Sequence, residues 1–143
     1  MKSFKEGSAA VEAALILPIL LALMTGLFDL GFAFYESMQV QSAADAGAQY
    51  AAQNTWDTAK IATVVSGATG GASITATPAP SQFCACPTGG TLANISCAST
   101  CANGTTPSLY ALVKAQKLHE TILRWPSLPQ PLTLTGQSIT RIQ

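Results

Sequence analysis

A long, nearly uncharged apolar segment lies in the first third of the chain. Between Ala13 and Tyr35 only one residue, Asp29, carries a charge. A helix of this length extends about 35 Å, which is enough to cross the roughly 30 Å hydrocarbon core of a bilayer. The pattern therefore predicts a transmembrane helix. Pro18 removes one backbone hydrogen bond inside it and predicts a kink at that position.

A secretory signal peptide that is later removed is the alternative interpretation of this segment. The apolar run is longer than the core of such a peptide, and helix-compatible sequence continues past it without a break. Small residues are abundant, but no clean Ala-x-Ala site is followed by the start of a new domain. We therefore expect the segment to be retained as a membrane span.

Basic residues flank only one side of the apolar segment. Lys2 and Lys5 precede it, and the next basic residue is Lys60. Because cytoplasmic flanks are enriched in Lys and Arg, we expect the N-terminus to stay in the cytoplasm. Everything after about Tyr35 is then expected to be exported.

Two acidic residues bracket the span, and a carboxylate in lipid costs several kcal/mol unless it is neutralised. Asp29 follows Glu12 by about 25 Å of helix, which carries it to the exported interface. There we expect an interfacial or local helix contact, with a partner helix as the alternative. Glu12 either reaches into the headgroup zone or is neutralised by a partner charge.

The helical periodicity continues beyond the apolar segment, from Glu36 to Asn54. Small residues recur there every three or four positions, at Val40, Ala44, Gly47, Ala48 and Ala51. Such a stripe suits close packing, either on the protein's own sheet or on another helix.

A short second helix is predicted over Trp56–Ser66. We expect Thr55 to be its N-cap, with Asp57 in the favourable first turn. Its apolar face has the spacing of a helix and consists of Ile61, Val64, Val65 and Ala68. The glycines that follow, Gly67, Gly70 and Gly71, are expected to end it.

The remainder of the chain favours β-structure. We expect three or more antiparallel strands, around Ile74–Thr77, Leu109–Leu118 and Leu132–Ile142. In the second of these, Leu109, Ala111, Val113, Ala115 and Lys117 share one side, and that side is apolar as far as Ala115. The proline-rich stretch "RWPSLPQP" is expected to be a connection.

Four cysteines, Cys84, Cys86, Cys97 and Cys101, lie within 18 residues. Export would place them in an oxidising compartment, which favours two disulfides. A zinc site is the alternative, although the C-x-C and C-x3-C spacing differs from the usual C-x2-C pattern. The sequence leaves three pairings open, of which the nested one, Cys84 with Cys101 and Cys86 with Cys97, would suit a hairpin-like loop.

Charge and candidate chemistry argue against several classes of function. Net charge is zero and only 10% of the residues are charged, so neither a nucleic-acid partner nor a basic surface is indicated. The single histidine, His119, stands next to Glu120 and is expected to be solvated. No nucleophile motif, phosphate loop or metal cluster accompanies it, so we expect no enzyme, cofactor, metal or small-molecule substrate.

A basic leader, Gly7, and a glutamate five residues later open the apolar segment. The segment and its continuation also contain Val11-Glu12, Leu17-Pro18, Gly26, Asp29-Leu30-Gly31 and the stretch "SAADAGAQYAA". The leader, glycine and glutamate form the class III signal pattern of pilins and pseudopilins, and the whole set resembles the TadE-like family of the tight-adherence (Flp) pilus machinery. The resemblance extends from Gly7 to Ala52 and is looser beyond. Ala13 is a departure, since the family often has Phe or Tyr there.

This resemblance implies that a membrane prepilin peptidase cleaves the chain after Gly7. Ser8 would become the new N-terminus, four residues before Glu12, and positions i and i+4 are neighbours on a helix. The new α-amino group could pair with Glu12 of the same chain or of an adjacent chain in an assembly. Either pairing would offset the cost of burying the carboxylate.

Together these features predict a pilin-like α+β protein. Its parts would be a cytoplasmic leader (1–7), a transmembrane and continuing helix (8–54), a short helix with a Gly-rich linker (55–71), and an exported β-rich domain (72–143) with a disulfide-stapled loop. The resemblance implies a minor pilin or pseudopilin in the bacterial inner membrane. Its partners would be the prepilin peptidase, other pilins and the assembly platform. A membrane-anchored binding module, or an assembly factor that stays outside the filament, is the alternative.

Overall fold

The computed structural model describes residues 4–70, 73–88, 91–121 and 131–142. It contains two helices, α1 (Phe4–Gln53) and α2 (Thr58–Gly67). Four strands follow, β1 (Ser81–Thr88), β2 (Thr91–Asn94), β3 (Ser108–His119) and β4 (Leu132–Arg141). The strands form one antiparallel sheet in the order β2-β1-β3-β4. The predicted fold class, a long apolar helix and a short one with a small antiparallel sheet, is confirmed.

The core lies between the C-terminal half of α1, helix α2 and strand β3. Its largest fully buried side chains are Ile61, Ile74, Val40, Val65 and Val113. The stripe of small residues on α1 faces this core, because Ala44, Ala48 and Ala51 are buried in the same cluster. The two packing partners left open for the stripe were the protein's own sheet and another helix; it packs on both within this chain, since Gly47 lies against Val113 of β3 and Val65 of α2. We call the C-terminal half of α1, helix α2 and the sheet together the head.

Two glycines allow the helix to approach its neighbours closely. A Cβ on Gly47 would lie 2.5 Å from a methyl carbon of Val65 and 3.0 Å from one of Val113. A Cβ on Gly136 would lie 2.9 Å from the backbone of Gln41. The side-chain amide of Gln41 (Nε2) also donates a hydrogen bond to the backbone carbonyl of Gln137, at 3.0 Å. Strand β4 therefore contacts the backbone of α1 almost directly.

The alternation predicted for the second strand is confirmed. Ala111, Val113 and Ala115 are fully buried against α1, and β3 pairs with β4 from Tyr110↔Arg141 to His119↔Leu132. The strand predicted over Ile74–Thr77 is wrong. Only Thr75 forms a bridge, with Gln116, and the nearby prolines, Pro78 and Pro80, have no N–H to extend a ladder.

Strands β1 and β2 were not predicted, because the cysteine region was interpreted as a loop. The start of α2 also differs from its prediction. Asp57, and not Thr55, is the N-cap: its backbone is extended, and its carboxylate accepts hydrogen bonds from the N–H groups of Ala59 and Lys60. A carboxylate satisfies the open N–H groups of a first turn well. The stretch "RWPSLPQP" lies, apart from Pro131, outside the described residues.

Candidate functional site: the apolar helix and its junction with the head

The N-terminal part of α1 is exposed over most of its length. We call residues 9–28 the bare segment: none is buried, and only Thr25 and Gly26 are partly covered. The helix is long and apolar enough to cross a membrane. At 1.5 Å per residue the bare segment is about 30 Å long, close to the thickness of a hydrocarbon core. Among the described residues, α1 is thus the one helix able to span a membrane.

The residues of the predicted processing and assembly signal all lie in the first turns of this helix. Gly7 and Ser8 are helical, and the side chain of Glu12 is exposed. The helix continues through Pro18 without interruption. Cleavage after Gly7, the pairing of Glu12 with an α-amino group and the kink at Pro18 stay predictions.

The residue that follows the bare segment, Asp29, is acidic and buried. Only 7% of Asp29 is exposed, and His119 at the end of β3 is 6% exposed. The helix and the strand run in opposite directions, so the end of β3 lies beside the part of α1 that adjoins the bare segment. Asp29 and Glu36 are seven residues apart and share the face of α1 that meets this strand.

Four side chains meet here, and we call them the junction cluster: Asp29, Glu36, Lys117 and His119. Glu36 accepts a hydrogen bond from Lys117 Nζ at 2.9 Å through Oε1. Its other oxygen, Oε2, lies 2.8 Å from His119 Nδ1. The second ring nitrogen of His119, Nε2, lies 3.5 Å from Asp29 Oδ1. The cluster therefore ties the end of β3 to two positions on α1 that lie about two helical turns apart.

The arrangement places a carboxylate beside each ring nitrogen of His119. Nε2 is buried and makes no hydrogen bond of normal geometry with the described residues. Each ring nitrogen of His119 therefore faces an acidic side chain of α1, at 2.8 Å for Glu36 and 3.5 Å for Asp29.

The expectation that His119 is solvated was wrong. His119 follows Val113, Ala115 and Lys117 at two-residue intervals, so it lies on the helix-facing side of β3. That alternation was the available signal, but the partners on α1 could not be read from it. Asp29 likewise contacts the protein's own strand, which was not among the contacts considered for it.

The four cysteines form two disulfides, as predicted, but the nested pairing is wrong. Cys84 pairs with Cys97 and Cys86 with Cys101. The cause is the backbone of β1, where the carbonyl of Cys84 accepts a hydrogen bond from the N–H of Ile95. The chain that leaves β2 therefore runs beside Cys84. This places Cys97, and not Cys101, next to Cys84.

Strand β4 contacts α1, and β3 separates β1 and β2 from β4. The disulfides therefore lie on the part of the sheet that is farther from α1. All four sulfur atoms are used in these bonds, which removes the ligands of the alternative zinc site. In the part of the chain that the structure describes, no three His, Cys, Asp or Glu residues are grouped to hold a metal ion. The chemistry of this region is covalent cross-linking.

Comparison with known families gives a match that includes the whole bare segment. The model of the family described as TadE-like protein matches residues 7–49. No curated protein and no solved structure matches the chain. The match begins at the glycine of the predicted cleavage site and ends inside the head, where the small residues of α1 are buried. The resemblance predicted from Gly7 to Ala52 is therefore confirmed over residues 7–49, and this chain has a TadE-like N-terminal helix.

Proposed function

We propose that this protein is a minor-pilin-like or pseudopilin-like component in the biogenesis of a tight-adherence (Flp, type IVb-like) pilus. In this role it supports assembly of the secretion system and adhesion to surfaces. One observation carries the proposal: the TadE-like match over residues 7–49 coincides with an apolar helix whose first part is bare and whose second part is built into a folded head.

The division of α1 suits a subunit that is held in the membrane before assembly. The bare segment is long enough for the hydrocarbon core, and the head carries the disulfides that an oxidising compartment favours. The protein would lie in the bacterial inner membrane with its N-terminus in the cytoplasm and its head in the periplasm. Lys5, ahead of the span, is consistent with this orientation.

Processing completes the proposed assembly signal. A prepilin peptidase would cut after Gly7, and the α-amino group of Ser8 would lie one helical turn from Glu12. The side chain of Glu12 is exposed and lies at the end of α1 far from the head. It is therefore open to an amine of its own chain or of a neighbouring pilin on the assembly platform.

Terminal-peptide mass spectrometry, combined with fractionation of sheared pili, tests the proposal. We expect a mature N-terminus at Ser8 in wild-type cells, an intact leader in cells without the peptidase, and the protein in the sheared filament fraction. An intact Met1 in wild-type cells would instead indicate a membrane-anchored binding module. A mature N-terminus without filament incorporation would indicate an assembly factor that stays in the membrane.

A further inference from the structure

The junction cluster places one end of the sheet at a defined height along α1. His119 of β3 pairs with Leu132 of β4 at this end, and His119 lies beside Asp29. Asp29 directly follows the bare segment, which matches a hydrocarbon core in length. If that segment spans the bilayer, as the proposed function requires, this end of the sheet lies where hydrocarbon gives way to headgroups.

Exposed aromatic side chains occur on α1 at the same height. Phe32, Phe34 and Tyr35 are 57%, 63% and 56% exposed, and they lie about 5–9 Å beyond Asp29 along the helix. Phe32 and Tyr35 also line a shallow apolar groove with Leu27, Phe28 and Gly31. Tyr and Trp side chains at the level of the headgroups are typical of membrane proteins, and Tyr35 fits this position, while Phe32 and Phe34 add exposed apolar surface.

The sheet presents an apolar side chain at this height as well. Leu118 is 61% exposed on the face of the sheet away from α1, next in sequence to His119. Ile139 occupies the same outer face, because it pairs with Leu112, six residues before Leu118 on β3. Ile139 is therefore about 20 Å farther from the end of the sheet. The two residues form a matched pair that differs mainly in height.

We propose that the end of the sheet at His119 and Leu132 is seated in the outer headgroup layer, with Leu118 and the exposed aromatic residues of α1 in contact with phospholipid. The occupant of this surface is lipid, because the surface is continuous with the bare segment that the bilayer surrounds. The charged groups of the junction cluster do not oppose the placement, since they are paired with one another inside the protein. Glu120 is exposed at the same end, and in the headgroup layer its carboxylate stays outside the hydrocarbon, where a charge is costly. The head then rests on the membrane and does not stand away from it.

Photo-crosslinking in native membranes tests this placement. A benzophenone amino acid would replace Leu118, Tyr35, Leu20 or Ile139, one at a time, in the full chain. Each position is exposed, so the substitution leaves the core intact. Leu20 reports whether the bare segment is in lipid at all, and Ile139 is the matched control. The readout is the mass of the adduct, which separates phospholipid from protein partners.

We expect phospholipid adducts at positions 20, 35 and 118, with several-fold more at 118 than at 139. Adducts at 20 without adducts at 118 would overturn the seated head while leaving the membrane span intact. Adducts at 118 and 35 with a second copy of the chain, or with another protein, would overturn lipid as the occupant. Absence of lipid at 20 would remove the span and this inference with it.

Discussion

His119 is the side chain on which the junction of β3 with α1 depends. Among the contacts described above, it is the only residue of the junction cluster that contacts both carboxylates of the cluster, with Glu36 at 2.8 Å and Asp29 at 3.5 Å. Such a cluster stabilises only while its members are matched, because an ionised group left buried without its partner is costly.

Replacing His119 by Ala should lower the free energy of unfolding of the head by on the order of 1–3 kcal/mol, because a buried polar partner is lost. Chemical denaturation in detergent, followed by circular dichroism, measures the change. The adjacent Glu120→Ala variant is the control, since Glu120 is exposed and surface changes usually stay within about 0.5 kcal/mol. Equal stability of the two variants would contradict a stabilising role for the cluster.

Asp57 makes the start of α2 sensitive to pH. Hydrogen bonds from the backbone N–H groups of Lys60 and Ala59, together with the charge of Lys60, hold the pKa of the Asp57 carboxyl below its usual range. A lowered folded-state pKa means that this contribution is fully present above the pKa of the unfolded chain. It is lost as the pH falls through the folded-state pKa.

We therefore expect Asp57→Ala to lower the melting temperature at neutral pH and to have less effect in acid, where the native carboxyl is protonated. Asp57→Ser keeps an N-cap oxygen that does not titrate in this range. Thermal melts of the three proteins between neutral and acidic pH measure the effect. A deficit in the Ala variant that does not change with pH would argue against the ionised cap.

At the scale of secondary-structure elements, the contact of α1 with β4 depends on the absence of a side chain at Gly136. Gly136→Ala should lower the free energy of unfolding by about 1–3 kcal/mol, since overpacking against backbone forces the elements apart. Gly67→Ala is the control, because a Cβ there has no atom within 4 Å. Denaturation curves should show a loss for the first variant and none for the second. A stable Gly136→Ala protein would show that the sheet can move away from α1 without loss.

The disulfides join β1 to the chain that follows β2, and their pairing can be tested by deleting cysteines two at a time. Replacing Cys84 and Cys97 by Ala removes one bond and should leave no thiol that can be alkylated in exported protein. Replacing Cys84 and Cys101 breaks both observed bonds and should leave two free thiols. Alkylation followed by mass measurement counts them. The nested pairing would give the reverse result.

Each disulfide should also contribute to stability. Loops of this size correspond to about 3 kcal/mol in the chain-entropy view. The contribution of the disulfides to stability matters here because all four residues of β2 are exposed. A short, exposed edge strand is held in place mainly by its ladder with β1 and by the bonds around it.

At the scale of the whole molecule, the head and the bare segment carry separate properties. Glu12 lies in the bare segment and Asp29 at the start of the head, so a change at Glu12 should leave the folding of the head unaltered. Additivity of distant sites supports this separation. A defect caused by Glu12 can therefore be attributed to processing or assembly.

Glu12→Ala should reduce piliation strongly while leaving the melting temperature of the head unchanged. The reason is the loss of the carboxylate that pairs with an α-amino group in the proposed assembly. Electron microscopy and immunoblots of sheared pili measure piliation. Glu120→Ala provides the same chemical change in the head and should leave pili intact. Normal piliation in the Glu12 variant would remove the main physical support for the assembly proposal.

Local patterns predicted the features that repeat at short range. The apolar run identified a helix able to span a membrane, the small residues identified the packed face of its second half, and alternation identified the buried side of β3. Each follows from the geometry of one element, because periods of 3.6 and 2 place side chains on faces regardless of what covers them. The disulfide chemistry was also predictable, since it depends on the cysteines and their compartment.

The partners across elements were decided only by the tertiary structure. Alternation places His119 on the inner side of β3, but only packing brings Asp29 and Glu36 to it. The pairing of the cysteines depends on how the chain returns after β2, and the N-cap depends on which oxygen reaches the open N–H groups of α2. These contacts join residues whose separation or geometry leaves no periodic trace in the chain. The bare segment shows the converse: its exposure follows from its sequence, while the height at which the head begins is defined by the contact of β3 with α1.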